Sequence, residues 1–334
     1  MNKRFILILS LVFLASLILV IPVGRYPVSA LEIVSSLWER FFVPNPSLRA
    51  EEVSYLFLSV RLPRILAAIL VGSSLSLSGA VYQSIFRNPL VSPGILGVLA
   101  GASTGAAVGI VVFSSWVMTQ LLSLVGGICG VTLSLTLSRL YPRSPLLALL
   151  VGGLVSSSFF SAVTSLFKYL ADTDNQLPEL VYWLMGTLSR ATGTQLSWVA
   201  PLMVLGVLYL TLCGRVVNAL SLGDEEAMSL GVDSRRERLK LIGLATMICS
   251  LSVVIAGIIN WVGLVIPHVV RLIIGPNNLT LLPASAILGA LFVLLTDTLT
   301  RSFWTAEFPL GIFTSLICLP LFAVSLWKAG LDHD

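Results

Sequence analysis

Few ionisable or metal-ligating side chains lie within apolar runs, and they are the first candidates for chemistry. His268 is the only histidine inside such a run. It could be a metal ligand, but zinc sites use three or four ligands, and no second ligand lies nearby in sequence. We therefore favour a hydrogen-bonded, helix-breaking motif that His268 forms with Pro267. The cysteines have no CxxC spacing and are interpreted as small apolar side chains, so no metal site is predicted; they are Cys129, Cys213, Cys249 and Cys318.

Asp297 is the one carboxylate well inside a long apolar run. A carboxylate at membrane depth is costly and usually functional. Arg301 follows one helical turn later, and a pair at this spacing can satisfy both charges. We favour a structural Asp297–Arg301 pair and leave a role in transport open.

The composition requires a membrane. Of the 334 residues, 56% are hydrophobic and 11% are charged, with a mean hydropathy of +0.97; soluble domains carry roughly 25% charged residues. The net charge of +4 is scattered among loops and predicts no nucleic-acid partner. We predict one all-α polytopic domain over residues 1–334 with about ten transmembrane helices. The predicted spans are 5–23, 64–83, 95–113, 116–137, 146–170, 196–213, 241–259, 264–274, 281–300 and 309–327.

Two of these spans and the first loop need further interpretation. Residues 5–23 exceed the length of a signal-peptide core, so we interpret them as a retained first span. Residues 264–274 are short for a full span and are expected to be a partial or buried helix. Residues 24–63 are predicted as a long outer loop, in which 31–42 could be a surface helix. The positive-inside rule places residues 214–240 and both termini in the cytoplasm.

The segment 214–240 is a polar break between two apolar runs. Within it, acidic residues at 224–226 favour the start of a short helix, and Gly231 favours its end. Ala227, Met228 and Leu230 give that helix an apolar side. Such a helix could be pushed by a soluble partner, or it could be a solvated linker. The residues predicted to contact the partner are Gly223, Asp224, Glu225, Ala227, Met228, Leu230 and Gly231.

Two further patterns concern packing and the pathway. A glycine recurs every fourth residue along the third span and predicts close helix packing in lipid; the four are Gly97, Gly101, Gly105 and Gly109. Proline-broken connections follow the second and fourth spans, and irregular backbone near membrane depth is tolerated where it lines a cavity. We predict a cytoplasmic gate there, formed by Asn88, Pro89, Leu90, Arg143 and Ser144.

Several stretches, at these spacings and in this order, resemble the FecCD-type permeases of ABC importers. They are Arg61-Leu62-Pro63-Arg64, Ser78-Gly79-Ala80 with Gln83, Arg87-Asn88-Pro89-Leu90, Leu222-Gly223-Asp224-Glu225, Gly263-Leu264-Val265-Ile266-Pro267-His268 with Arg271, Asp297 with Arg301, and Glu307-Phe308-Pro309-Leu310-Gly311. Ile259-Asn260-Trp261-Val262 departs from the family, which often has small residues there.

The resemblance implies a type II importer permease fold in the cytoplasmic membrane of a prokaryote. It implies a homodimer, two cytoplasmic ATPase subunits that dock on the 223–231 helix, and an extracytoplasmic solute-binding protein. The family pairs outer arginines with that protein, so Arg61, Arg64 and Arg301 are docking candidates; the alternative is that they only anchor helices at lipid headgroups. Glu307 in the last outer loop could be a docking carboxylate or a solvated one. The chain has no GxxxxGK[ST] phosphate loop, so ATP binds the partner and this subunit is predicted to be neither an enzyme nor a cofactor protein.

The implied cargo is a metal chelate such as a ferric siderophore, haem or cobalamin. An oxyanion such as molybdate is an alternative. A stand-alone secondary transporter is a further one, but it needs intramembrane acids or histidines as a relay, and apart from Asp297 the spans carry almost none.

Overall fold

In the computed structural model, residues 2–140, 145–303 and 308–331 are described, and they form helices without strands. Fifteen α-helices are described: α1 (Asn2–Val20), α2 (Ala30–Phe42), α3 (Leu48–Tyr55), α4 (Leu62–Ile85), α5 (Val98–Val111), α6 (Trp116–Ser138), α7 (Pro145–Leu170), α8 (Gln176–Leu184), α9 (Gly193–Leu212), α10 (Gly214–Leu222), α11 (Asp224–Ser229), α12 (Ser234–Ala256), α13 (Val262–Ile274), α14 (Asn278–Phe303) and α15 (Leu310–Leu331). A π-helical segment, Leu56–Arg61, joins α3 to α4.

Ten helical segments match the ten predicted spans. Six are long and apolar enough to cross a membrane, and four shorter apolar helices, α1, α5, α13 and α15, complete the set within the described residues. The prediction of an all-α membrane domain with about ten spans is confirmed. At about 1.5 Å per residue, the 13 residues of α13 fall short of the roughly 30 Å hydrocarbon core. As expected, α13 is a partial, largely buried helix.

Helix α4 is the centre of the bundle, because it packs against α9, α12, α13 and α14. Nearly all of its residues are buried. Glycines permit this: a Cβ on Gly79 would overlap the carbonyl oxygen of Gly263 in α13, and a Cβ on Gly72 would overlap that of Gly289 in α14. Small residues let helix backbones approach closely where lipid provides no hydrophobic drive.

The long outer loop predicted for residues 24–63 is wrong in its second half. Helix α3, the π segment and α4 run on as one helical stretch, Leu48–Ile85. Pro63, the second residue of α4, therefore lies inside a longer helical stretch. The Leu62 N–H bonds the Phe57 carbonyl, five residues back, so the hydrogen-bond register shifts just before the proline that lacks an N–H.

The ends of other elements also differ from prediction. Helix α5 begins at Val98 rather than at 95, after Gly97 in a left-handed conformation (φ 82°). Helix α12 begins at Ser234 and ends at Ala256, earlier than the predicted 241–259. Residues 214–222, predicted as loop, form α10. Hydropathy assigns polar helical residues to loops, as in α10 and at the start of α12. It also does not detect a turn inside an apolar run, such as the one at Gly97.

Helix α2 exposes an apolar stripe. The residues of the stripe are 64–83% exposed and lie on one side of the helix: Leu31, Val34, Trp38, Phe41 and Phe42. Its opposite side packs on α3 through Ile33 and Val53. The two helices are also tied by the Arg49–Glu32 ion pair at 2.7 Å; hydrogen bonds to Glu32 and then Tyr26 raise the pKa of Arg49.

Candidate transport pathway and coupling site

A cavity of about 530 Å³ opens where α4, α7, α12 and α13 meet the irregular segment 92–97. Its lining includes Leu75, Ser92, Leu154, Ser157, Cys249 and Asn260. Trp261, Gly263 and Leu264 complete the wall at the start of α13. Among the described lining residues none is Asp, Glu, Lys, Arg or His, so the cavity is walled by apolar and uncharged polar groups.

Trp261 has an unusual backbone at the cavity wall. Its φ of 71° lies in the left-handed region, which it shares, among the described non-glycine residues, only with Arg87 and Ser114. A bulky residue held there costs on the order of 1–3 kcal/mol and persists only where the surroundings fix it. Trp261 caps the start of α13, and its ring lies 6.3 Å from that of Phe322 in α15.

The interpretation of His268 as a hydrogen-bonded helix breaker is wrong. Pro267 and His268 lie inside α13, which continues past them to Ile274. The carbonyl that a residue at 267 would bond belongs to Gly263, and it instead faces Gly79 at the α4 crossing. His268 is 6% exposed, and its ring packs edge-on against Phe322 at 5.6 Å. Within the described chain neither ring nitrogen has a hydrogen-bond partner, and no three potential metal ligands converge.

The helix predicted at 223–231 is present as α11 and ends in a Schellman motif. The Val232 N–H bonds the Ala227 carbonyl at 2.9 Å, and the Gly231 N–H bonds that of Met228 at 2.9 Å, with Gly231 at φ 79°. This pair of hydrogen bonds is the usual way in which a glycine ends a helix. Asp224 pairs with Arg238 of α12 at 2.6 Å. Glu225 is exposed in the first turn.

The apolar residues of α11 do not share one side. Ala227 is fully buried, whereas Met228 and Leu230 are 58% and 62% exposed. Ala227 therefore anchors the helix to the bundle, and the other two form an apolar surface that faces away from it. Gly223, at φ 140°, forms the link from α10. The side of the bundle that carries α11 is called the α11 end below.

At the opposite end of the bundle lies a buried charge cluster. Arg64 of α4 donates to both Asp297 carboxylate oxygens, from Nε at 3.0 Å to each and from Nη2 at 2.9 Å to Oδ1. Arg301 Nε is 4.0 Å from Asp297 Oδ2. The predicted Asp297–Arg301 pair is thus secondary: the main partner of Asp297 is Arg64, which the fold brings to it from another helix.

Arg61 and Arg301 are turned towards the bundle. Arg61 is 4% exposed and donates to the carbonyls of Ile21 at 3.2 Å, Pro22 at 3.0 Å and Tyr26 at 2.5 Å. Arg301 is 7% exposed and reaches the Val20 carbonyl at 3.4 Å. The two arginines therefore hold the end of α1 and the chain after it. Glu307 lies outside the described residues.

Comparison with known proteins identifies the family to which this helical bundle belongs. The model of the FecCD transport family matches residues 8–328. The chain belongs to the FecCD transport family. It is accordingly a membrane-spanning permease subunit of an ABC importer, and the sequence resemblance is confirmed.

Individual relatives cover nearly the full length of this FecCD permease. It is 37% identical over 321 residues to the molybdate import system permease protein of Haemophilus influenzae, which spans 96% of this chain and 94% of that protein. It is 35% identical over 341 residues to the hemin transport system permease protein of Yersinia pestis, covering 98% and 97%. A solved structure described as an inward-facing metal-chelate type ABC transporter matches with a TM-score of 0.85 at 35% identity, covering 98% and 99%.

The glycine stripe of this FecCD permease lies against α6. A Cβ on Gly101, Gly105 or Gly109 would overlap the α6 backbone, and a Cβ on Gly97 would press on Ser156 of α7. The contact is reciprocal, because Gly126 of α6 has the same relation to Gly101. Helices α5 and α6 consequently pack backbone to backbone.

The predicted gate residues are described only in part. Asn88 accepts the Leu90 N–H at 2.9 Å in a tight turn, and Pro89 and Leu90 are exposed. Arg87 precedes them at φ 50° and reaches the Leu222 carbonyl at 3.4 Å. The turn thus touches the end of α10. Arg143 and Ser144 lie outside the described residues.

Sequence reasoning missed several residues that line the cavity. The cavity wall brings together helices that are far apart in the chain, including Leu154 and Ser157 of α7 and Cys249 of α12. No spacing in the sequence pairs these helices. The one usable signal was the polar and aromatic Asn260-Trp261 pair between two apolar runs.

Proposed function

We propose that this permease carries a metal chelate across the cytoplasmic membrane of a prokaryote. The observation that carries the proposal is the cavity of about 530 Å³ with uncharged walls. Its size falls within the range of about 300–1,000 Å³ for small-molecule sites. An organic chelate covers the charge of its metal, so it suits apolar walls better than a bare ion, whose burial requires paired charges. Ferric siderophores, haem and cobalamin share this chemistry.

We further propose the assembly of the importer. Two copies of the chain form a homodimer around the pathway, and a solute-binding protein delivers the cargo from outside. Two ATPase subunits bind the α11 end, which faces the cytoplasm together with both termini. Support comes from the exposed Met228 and Leu230 on α11 and from the family membership. ATP is then bound and hydrolysed by those partners.

The gate and the docking residues stay proposals. We place the gate at Asn88, Pro89 and Leu90, whose turn lies at the α11 end, with Arg143 and Ser144. Docking of the binding protein by Arg61, Arg64 and Arg301 would compete with the intramolecular hydrogen bonds that these side chains make. Glu307 remains a docking candidate on sequence grounds alone.

The test is uptake by proteoliposomes that contain the permease with its ATPase subunits and binding protein. Ferric siderophore, haem, cobalamin and molybdate are supplied separately with ATP inside. ATP-dependent uptake of a chelate is expected. Trp261→Ala and Asn260→Ala should change the ratio of uptake among chelates, whereas Trp198→Ala, a partly exposed tryptophan of α9 that does not line the cavity, should not. Absence of uptake of every chelate would contradict the proposal.

Transport of an oxyanion is the second candidate, because the molybdate permease of Haemophilus influenzae is a full-length relative at 37% identity. In that case molybdate uptake should saturate in the same assay, and the chelates should not compete with it. The uncharged cavity lining favours the chelate.

A further inference from the structure

A chain of hydrogen bonds connects the neighbourhood of α11 to the wall of the cavity. We propose that this chain couples the ATPase to the pathway, by fixing the distance between α10 and the first turn of α13. The proposal rests on the proposed function, since it needs an ATPase at α11. The chain, called the polar relay below, consists of Asn218, Asn278, Ser84, Arg271, Gln83 and the Leu264 carbonyl.

The first link joins α10 to α14. Asn218 lies in the middle of α10, the helix that leads through Gly223 into α11. Its side-chain oxygen accepts the backbone N–H of Asn278 at 2.8 Å and the Asn278 Nδ2 at 2.9 Å. A Cβ on Gly214, at the start of α10, would press on the backbone of residues 278 and 279. A displacement of α11 that moves α10 therefore moves the start of α14 as well.

The second link joins α14 to α4. The Ser84 hydroxyl donates to the Asn278 side-chain oxygen at 2.7 Å. Both residues are buried, at 7% and 1% exposure. Buried hydrogen bonds are stiff constraints, because leaving a buried polar group unpaired costs about 1–3 kcal/mol.

The last link reaches the cavity. Arg271 of α13 donates to the Gln83 side-chain oxygen at 2.8 Å and to Ser84 Oγ at 3.4 Å. Gln83 Nε2 donates in turn to the Leu264 carbonyl at 3.0 Å. Leu264 lines the cavity beside Gly263, where α4 and α13 approach most closely at Gly79. Each link joins two different helices, so the relay spans from α10 to the cavity wall.

A purely structural role makes a different prediction from a coupling role. If the relay only holds helix ends together, its loss lowers stability but leaves the pathway responsive to nucleotide. If the relay couples, the loss of either end disconnects the cavity from the ATPase while ATP hydrolysis continues. In a series connection, breaking both ends should do no more than breaking one, which a double-mutant cycle measures.

The experiment uses the permease–ATPase complex in nanodiscs and a reporter cysteine, Asn260→Cys, in a background with the four native cysteines replaced by alanine. The measured quantity is the ratio of maleimide labelling rates without and with ATP plus vanadate. We expect at least about a 5-fold ratio for the otherwise unaltered complex, the lower limit of a typical coupling energy. Gln83→Met, Asn218→Leu and their combination should each bring the ratio below about 2-fold, with ATP hydrolysis retained.

Gln195→Met is the matched control. Gln195 is as buried as Gln83 and also donates to a backbone carbonyl, that of Val254 at 3.0 Å, but it lies at the opposite end of the bundle. It should keep the full ratio. Asn218 is only half-buried, so Asn218→Leu tests the relay even where Gln83→Met fails to assemble.

Three results would overturn the relay: an unchanged ratio in Asn218→Leu, a further fall in the double variant, or an equal loss in Gln195→Met. The complex that keeps all native relay residues must bind the ATPase and respond to nucleotide. If it does neither, or only the first, the proposed function itself is contradicted, and the relay with it. A complex that responds to nucleotide while Asn218→Leu responds equally contradicts the relay alone.

Discussion

The buried Arg64–Asp297 pair allows a quantitative test of what holds the end of the bundle opposite α11. The side chains of Arg64 and Asp297 are 13% and 4% exposed. Removing one member of a buried pair costs about 3–5 kcal/mol, since the other charge is left buried and unpaired. Asp297→Asn leaves both Arg64 and Arg301 without their carboxylate, so we expect a loss of about 4–5 kcal/mol. Arg64→Met leaves Asp297 with Arg301 at 4.0 Å and should cost less, about 3 kcal/mol.

The combination Arg64→Met with Asp297→Asn removes both charges of the pair and should be less destabilising than the sum of the two single variants by about 1–3 kcal/mol. The assay is unfolding in mixed micelles with increasing dodecyl sulfate, followed by circular dichroism. Glu179→Gln serves as control, because the Arg190–Glu179 pair has a 2.7 Å contact but is 40% and 43% exposed; its loss should cost less than about 1 kcal/mol.

Two outcomes would refute this reasoning. Asp297→Asn with wild-type stability would mean that the pair contributes nothing, and additive single losses would mean that the two charges do not interact. A stable Arg64→Met that associates slowly with the binding protein would instead support docking by Arg64.

Four further predictions follow from the described contacts. Gly105→Leu should prevent assembly of α5 on α6, while Gly243→Ala, whose Cβ meets open space, should be tolerated or stabilise the helix by up to about 1 kcal/mol; yield of folded protein in detergent measures both. Met228→Glu should abolish co-purification of the ATPase without loss of permease yield, and wild-type recovery of the ATPase would contradict α11 docking. Trp38 should be quenched by brominated lipid, because its exposed apolar stripe is typical of an interfacial helix; the same quenching in Trp38→Phe would show that other tryptophans are responsible. Leu90→Cys should crosslink between the two copies of the resting dimer, and failure to crosslink in an intact dimer would count against a gate there.

The location of the spans was predictable, because the cost of exposing polar groups to lipid is a local property of composition. Hydropathy predicted ten segments, including the short α13. Capping residues predicted helix α11 and its end at Gly231. Helix α10 and the continuous α3–α4 stretch did not, since their polar residues resemble loop until neighbouring helices bury or cap them. The glycine period of α5 predicted a packing face, but it could not identify α6 as the helix on which that face packs.

The class of this protein, its spans and its family were predictable from the sequence, because they depend on residues close together in the chain. Which side chains pair with one another is evident only from the fold. Asp297 bonds Arg64, 233 residues away, rather than Arg301 one turn along, because the helix crossing brings the planar guanidinium to face the carboxylate while the i+4 arginine turns to the end of α1. The polar relay and the cavity wall arise in the same way. Each assembles side chains from several helices, and the distances between helices are set by packing rather than by spacing along the chain.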